Sequence, residues 1–229
     1  MPQRPKLESA RQTAGQLDAE IEALSVKNTA NVRAIRRRYS RELRAAPATF
    51  VLDLARELME GYGHRWVAYE LLRDHKGAFG SIGERELEVF GRGIDSWSSV
   101  DAFARTLAGP AWLRGQVSDV LIRRWARSDD RWWRRAALVS TVALNVRSRG
   151  GMGDVPRTLR VCRILADDQD DMVVKAMSWA LRELVVHDHA AVREFLGAHD
   201  SVLAARVKRE VMNKLTTGLK NPGRRAKST

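Results

Sequence analysis

Apolar residues recur at three- and four-residue spacing along nearly the whole chain, as in "SVDAFARTLA", "QVSDVLIRRWA" and "LRVCRILADD", while strand-like alternation is almost absent. A segment with that spacing buries one continuous stripe only as an α-helix, so the chain is expected to be all-α. Punctuation agrees with this reading. Pro47, Pro110, Pro156 and Pro222 fall where one helix must end or the next begin, and glycines cluster in "MEGYGH", "HKGAFGSIGE" and "SRGGMGD". None of these glycine clusters has the spacing of a phosphate loop.

A longer period lies over the short one. Polar caps followed by amphipathic helices recur in "GHRWVAYELLRD", "IDSWSSVDAFAR", "SDDRWWRRAALVSTV", "QDDMVVKAMSWALREL" and "HDSVLAARVKREV", at intervals of roughly 30 to 40 residues. Each block opens with Asp, Ser or His near the position where a side-chain oxygen satisfies free amide donors. Another amphipathic segment lies between blocks, such as "TFVLDLARELMEGY" or "LRGQVSDVLIRRWARS", so the unit is a helix pair. Stacked pairs predict a HEAT-like solenoid with a concave basic face built from the second helices. A compact irregular helical bundle is the alternative. The expected division is an N-terminal helical extension over 1–30, the repeat domain over 31–218 and a basic disordered tail over 219–229.

Charge narrows the partner. Lys and Arg number 40 against 28 Asp and Glu, a formal net charge of +12, which favours a polyanion: nucleic acid first, an anionic membrane surface second. No apolar run approaches the roughly 20 residues needed to cross a bilayer, and the first residues lack the apolar core of a signal peptide, so a cytoplasmic protein is expected. The single cysteine, Cys162, excludes an internal disulfide and a Cys-based zinc site. His187 and His189 have a spacing compatible with a metal, but no third ligand is evident, so none is expected.

Seven tryptophans are many for this length, and five of them, Trp66, Trp97, Trp132, Trp133 and Trp179, fall in the repeated helices. Trp66, Trp125 and one of Trp132 and Trp133 read as core residues. Trp97 reads differently, because Asp101 follows it by four and so shares its helix face. An acid beside an apolar stripe needs a partner or a task. Trp179 likewise precedes Arg182 by three. Basic residues accompany the indoles: Arg134 and Arg135, Lys175 and Arg182, and Arg206, Lys208 and Arg209. A row of cations with interleaved indoles suits a phosphate backbone and the sugars between its phosphates. The helix "NVRAIRRRYSREL" adds Arg33, Arg36, Arg37, Arg38 and Arg41, either a clamp on the duplex or a solvated face.

The segments "SWSSVD", "SDDRWWRRAAL" and "KAMSWALRELVVHDHAAVREFL" resemble the AlkD family of DNA glycosylases, HEAT-like repeat proteins of DNA alkylation repair, over most of the chain from about Val32 onward. The resemblance implies that Trp97, Asp101 and Trp179 surround the damaged nucleotide and that Arg135, in the Trp-x-x-Arg segment, lies close to it. It also implies a monomer that binds double-stranded DNA containing alkylated bases, needs no metal or organic cofactor, and hydrolyses the glycosidic bond of N3- or N7-alkylated purines without a base-specific flipping pocket. The chain departs from the family where Ser98 stands in place of an acid. Two other readings fit the charge and repeats: a noncatalytic DNA-binding repeat protein, which gives Asp101 no task, and a helical scaffold for RNA or an acidic protein.

Overall fold

In a computed structural model of the chain, residues 9–222 are described, and every regular element among them is helical. The expected all-α fold is therefore correct. None of these helices is long and apolar enough to cross a membrane. Of the basic C-terminal stretch expected to be disordered, residues 223–229 lie outside the described residues.

The chain forms two compact units that divide between Arg92 and Gly93. The first contains α1 (Ala10–Glu22), α2 (Thr29–Glu42), α3 (Ala48–Glu60), α4 (Arg65–Asp74), α5 (Lys76–Gly80) and α6 (Glu84–Gly91). Ser9 and Gln12 form a reciprocal capping box that starts α1, and Ala14, Leu17 and Ile21 are buried on one face of that helix. α1 packs on α3 and α2, α3 on α4, and α2 on α4.

The second unit contains α7 (Trp97–Phe103), α8 (Gly109–Leu113), α9 (Asp119–Ala126), α10 (Arg131–Asn145), α11 (Val155–Ile164), α12 (Asp171–Val185), α13 (His189–Ala198) and α14 (Ala205–Thr217). The helices stack in pairs. α10 packs on α12 and α12 on α14, forming a row of second helices, while α9 and α11 pack on each other and on that row. This is the helix-stacked arrangement the repeated blocks predict. Ser96, Asp130 and Asp170 cap α7, α10 and α12 through their side chains, as their positions suggest. The last block behaves differently: residues 199–204 make turns, Ala204 is the uncapped start of α14, and the Lys208 ammonium bonds the Asp200 backbone carbonyl.

α10 is the centre of this unit. Its residues from Arg135 to Asn145 are all buried, as expected of a helix with neighbours on every side. Phe103, Trp125 and Trp133 pack at one end with ring centroids 4.9 to 6.0 Å apart, the tilted and edge-on geometry aromatic rings favour. Trp125 is thus a core residue, whereas Trp133, packed against it, is half-buried, as is Trp66, which has the Arg33 guanidinium 5.5 Å over its ring.

Pro110 does not end a helix. Between α7 and α8 the backbone passes through a π-helical turn, Ala104–Ala108, and the Gly109 amide donates to the Ala104 carbonyl five residues back. Pro110 has no amide to continue the ordinary ladder and its ring needs room, which the widened turn supplies. A Cβ on Gly109 would lie 2.6 Å from the Ser140 carbonyl oxygen and 2.7 Å from the Ala143 methyl. The missing side chain lets the α7–α8 rod lie directly on α10. Gly109→Ala is therefore expected to destabilise the protein by about 1 to 3 kcal/mol, the range for overpacking a close contact, and a denaturant titration reads it.

Candidate functional site

α7 begins at Trp97, whose indole is 59% exposed although the rest of its apolar stripe, Val100, Phe103, Ala104 and Leu107, is buried. A large apolar ring left in water at the start of a helix is a candidate contact surface. One turn on, Asp101 turns inward with 18% of its side chain exposed. Arg135 of α10 meets it as a fork: Nε donates to Oδ1 and Nη2 to Oδ2, each at 2.9 Å. The third arm of Arg135, Nη1, donates to the Met172 carbonyl of α12 at 2.6 Å. One buried guanidinium thus joins three successive second helices and fixes the carboxylate in orientation.

A second arginine completes the arrangement, and the sequence reading does not include it. Arg105, four residues after Asp101, lies over the Trp179 ring at 5.1 Å from its centroid, and its charge acts on the Asp101 carboxyl. Its Nε is buried and has no hydrogen-bond partner among the described residues. The signal was present in the sequence: Trp97, Asp101 and Arg105 stand at i, i+4 and i+8. Trp179 is half-buried and donates from Nε1 to Glu183 Oε1 at 2.9 Å, so the indole is held at its edge while Arg105 takes one of its faces.

These opposing influences set the acid. Burial raises the Asp101 carboxyl above its ordinary value and is the largest effect, while the hydrogen bonds and charge of Arg135, and then the charge of Arg105, pull it back down. The net direction is upward. Asp171 of α12, which pairs with Lys175 and Arg206 at the surface, moves the other way, lowered first by its bond to Lys175.

The family profile described as DNA alkylation repair enzyme matches residues 6–215. The chain belongs to that family. No curated protein sequence matches it. Among solved structures it is similar in fold to one described as a predicted DNA alkylation repair enzyme from Enterococcus faecalis, with a TM-score of 0.65 and 17% identity, covering 93% of this chain and 100% of that one.

The other basic candidates in this DNA alkylation repair family member divide by surroundings. Arg134 donates to Asp168 at 2.7 Å and to the carbonyls of Ser128 and Asp129, so it fastens the start of α10 to the turn before α12. Arg182 is half-buried, bonded through Nε to Ser178 Oγ, and held below its ordinary value mainly by burial. Ser178 in turn donates to the buried Glu210 at 2.6 Å. Lys175 and Arg206 share Asp171, Lys208 pairs with Asp200, and Arg209 is exposed. Of the two histidines with metal-like spacing, His187 donates from Nε2 to the Asn145 carbonyl at 2.6 Å, and His189 is exposed at the start of α13.

Proposed function

We propose that this member of the family is a DNA glycosylase that removes N3- or N7-alkylated purines from duplex DNA, working as a monomer. The observation that carries the reading is Asp101: a carboxylate fixed by a two-pronged guanidinium, one helical turn from an exposed indole, and acted on by the charge of Arg105, which lies over a second indole, Trp179.

Alkylation at N3 or N7 makes the purine cationic and a good leaving group. The bond from C1′ to the base nitrogen breaks with its electron pair going to the base, which leaves neutral, and the sugar develops oxocarbenium character. The catalytic need is a fixed negative charge beside that sugar, not a proton donor for the base. Asp101 supplies it. The acid also orients the water that bonds to C1′ and passes the water's proton on to solvent, the role a carboxylate takes in glycoside hydrolysis. A side chain held at both oxygens needs little reorganisation when the charge develops, which is where such a group gains most.

Trp97, standing out from its helix, packs on the deoxyribose, offers its negative ring face to the cationic centre and excludes bulk water. Trp179 lines the same place and holds Arg105 there, so that Arg105 limits how far the carboxyl is neutralised. An indole exposed at the surface meets DNA from outside and does not require the base to be enclosed, which supports attack without a base-specific flipping pocket. The exposed or partly exposed cations Lys175, Arg206, Lys208 and Arg209 contact phosphates.

Base release from duplexes carrying N7-methylguanine or N3-methyladenine, measured under single-turnover conditions, tests the reading. Release well above the spontaneous rate is expected. Tight, salt-sensitive binding with no release would leave a noncatalytic DNA-binding protein in its place.

A further inference from the structure

The first unit has a cavity of about 310 Å³ lined by Arg37, Ser40, Arg41, Arg44 and Asp74. The three arginines stand at i, i+4 and i+7 along α2 and the short 3-10 turn Leu43–Ala45 that follows it, so they form one stripe. All three are exposed, and among the described residues none makes a hydrogen bond or an ion pair.

Their neighbours on the same helix are all paired. Arg33 pairs with Glu70, Arg36 with Glu70 and Asp74, and Arg38 with Glu20 and Glu42. The cavity's one acid, Asp74, is thus already answered by the buried Arg36, and Ser40 bridges the two, accepting from Arg36 at 3.1 Å and donating to Asp74 at 3.3 Å. Three guanidinium charges are left over. The fold gathers them around one cavity whose only lining carboxylate, Asp74, is already paired with Arg36, which is the signature of a site for an anion.

We propose that this cavity is a second phosphate site, separate from the Asp101 site, that holds consecutive backbone phosphates of the DNA. Guanidinium forks match phosphate oxygens two at a time, and three of them in a row suit a run of phosphates along one backbone. At ~1.5 Å per residue it runs about 10 Å along the helix. A single strand presents a phosphate every ~3.4 Å of duplex axis, so the stripe spans two or three of them. The lining includes no aromatic or large apolar side chain on which a base or a lipid chain would pack, which favours the backbone itself. The proposal rests on DNA being the partner.

The test is the salt dependence of binding to an undamaged duplex, read by fluorescence anisotropy, for wild type and for the triple variant Arg37→Gln, Arg41→Gln, Arg44→Gln. Since the three side chains have no hydrogen-bond or ion-pair partners among the described residues to lose, the variant should fold as wild type does, and circular dichroism melting checks this. Each lost phosphate contact lowers the slope of log affinity against log salt by about 0.9, so a fall of about 2 to 3 is expected. A control with the same net charge, Arg11→Gln, Arg85→Gln, Arg193→Gln, removes three other exposed arginines whose side chains make no hydrogen bond or ion pair among the described residues and should leave the slope near that of wild type.

An unchanged slope in the cavity variant, or an equal fall in the control, overturns the proposal while leaving the DNA reading intact. Saturable binding of inorganic phosphate to wild type, lost in the cavity variant with the DNA slope unchanged, would make it a small-anion site and also overturn it. Failure of wild type to bind duplex at all would remove the proposal together with the DNA reading.

Discussion

Asp101→Asn is expected to lower single-turnover base release by about 10², the scale on which one preorganised electrostatic group acts, while leaving duplex affinity close to wild type; the unfolding midpoint should fall, because the buried Arg135 guanidinium loses its charged partner. The amide keeps the shape and one acceptor oxygen for the Arg135 fork, but it removes the charge the departing base calls for. Its pH profile carries a second, independent readout. Burial lifts the Asp101 carboxyl, so in wild type the rate should fall, as pH drops, at a pH above the ordinary aspartate value, and this acid limb should disappear in the variant. Equal rates for the two proteins would remove the assigned role. A lost rate with an unaltered acid limb would give that limb to another group.

The repeat architecture was legible because it is written in periodicity. Helical spacing and the caps Ser96, Asp130 and Asp170 predict the second helices in their observed places. The fixed carboxylate was only partly legible. The helix pattern puts Asp101 one turn from Trp97, but it cannot say that Asp101 meets Arg135, because that contact depends on how α7 lies on α10 and hence on Gly109 and the π-helical turn. Nor does a cluster of Arg residues reveal which are already occupied. Arg134 and Arg135, adjacent in sequence, fasten two different acids, whereas Arg37, Arg41 and Arg44 fasten none among the described residues.

Similar ion pairs between stacked helices recur with the repeat's own period. Arg33 and Arg36 reach Glu70 and Asp74, Arg135 reaches Asp101, and Arg206 reaches Asp171, over separations of 34 to 38 residues. A pair of this kind is an ordinary joint of such a fold, so pairing alone does not make Asp101 functional. What sets it apart is its surroundings. Asp171 is held below its usual value at an exposed joint, whereas Asp101 is raised by burial and shares its helix face with an exposed indole. A joint built only for stability would have no use for a carboxyl kept partly desolvated.

That same joint gives the largest expected effect on stability. Arg135→Met replaces a 6%-exposed guanidinium by an apolar chain and leaves Asp101 desolvated without its partner, so the unfolding free energy should fall by about 3 kcal/mol at neutral pH. The loss should shrink in acid. Without Arg135 the carboxyl rises further above its unfolded value, the folded state binds the extra proton, and stability is regained as pH falls through that raised value and lost again as pH rises. Asp101→Asn combined with Arg135→Met removes the stranded charge and should recover most of the lost stability, while base release stays at the low level of Asp101→Asn alone. Denaturant titrations of the two single variants and the double variant at neutral and acidic pH separate the cases. If Arg135→Met alone has normal stability but a salt slope about 0.9 lower, Arg135 is a phosphate contact and not the support of Asp101. If the double variant is no more stable than Arg135→Met, the defect lies in the lost tie to Met172, and the carboxylate was not the burden.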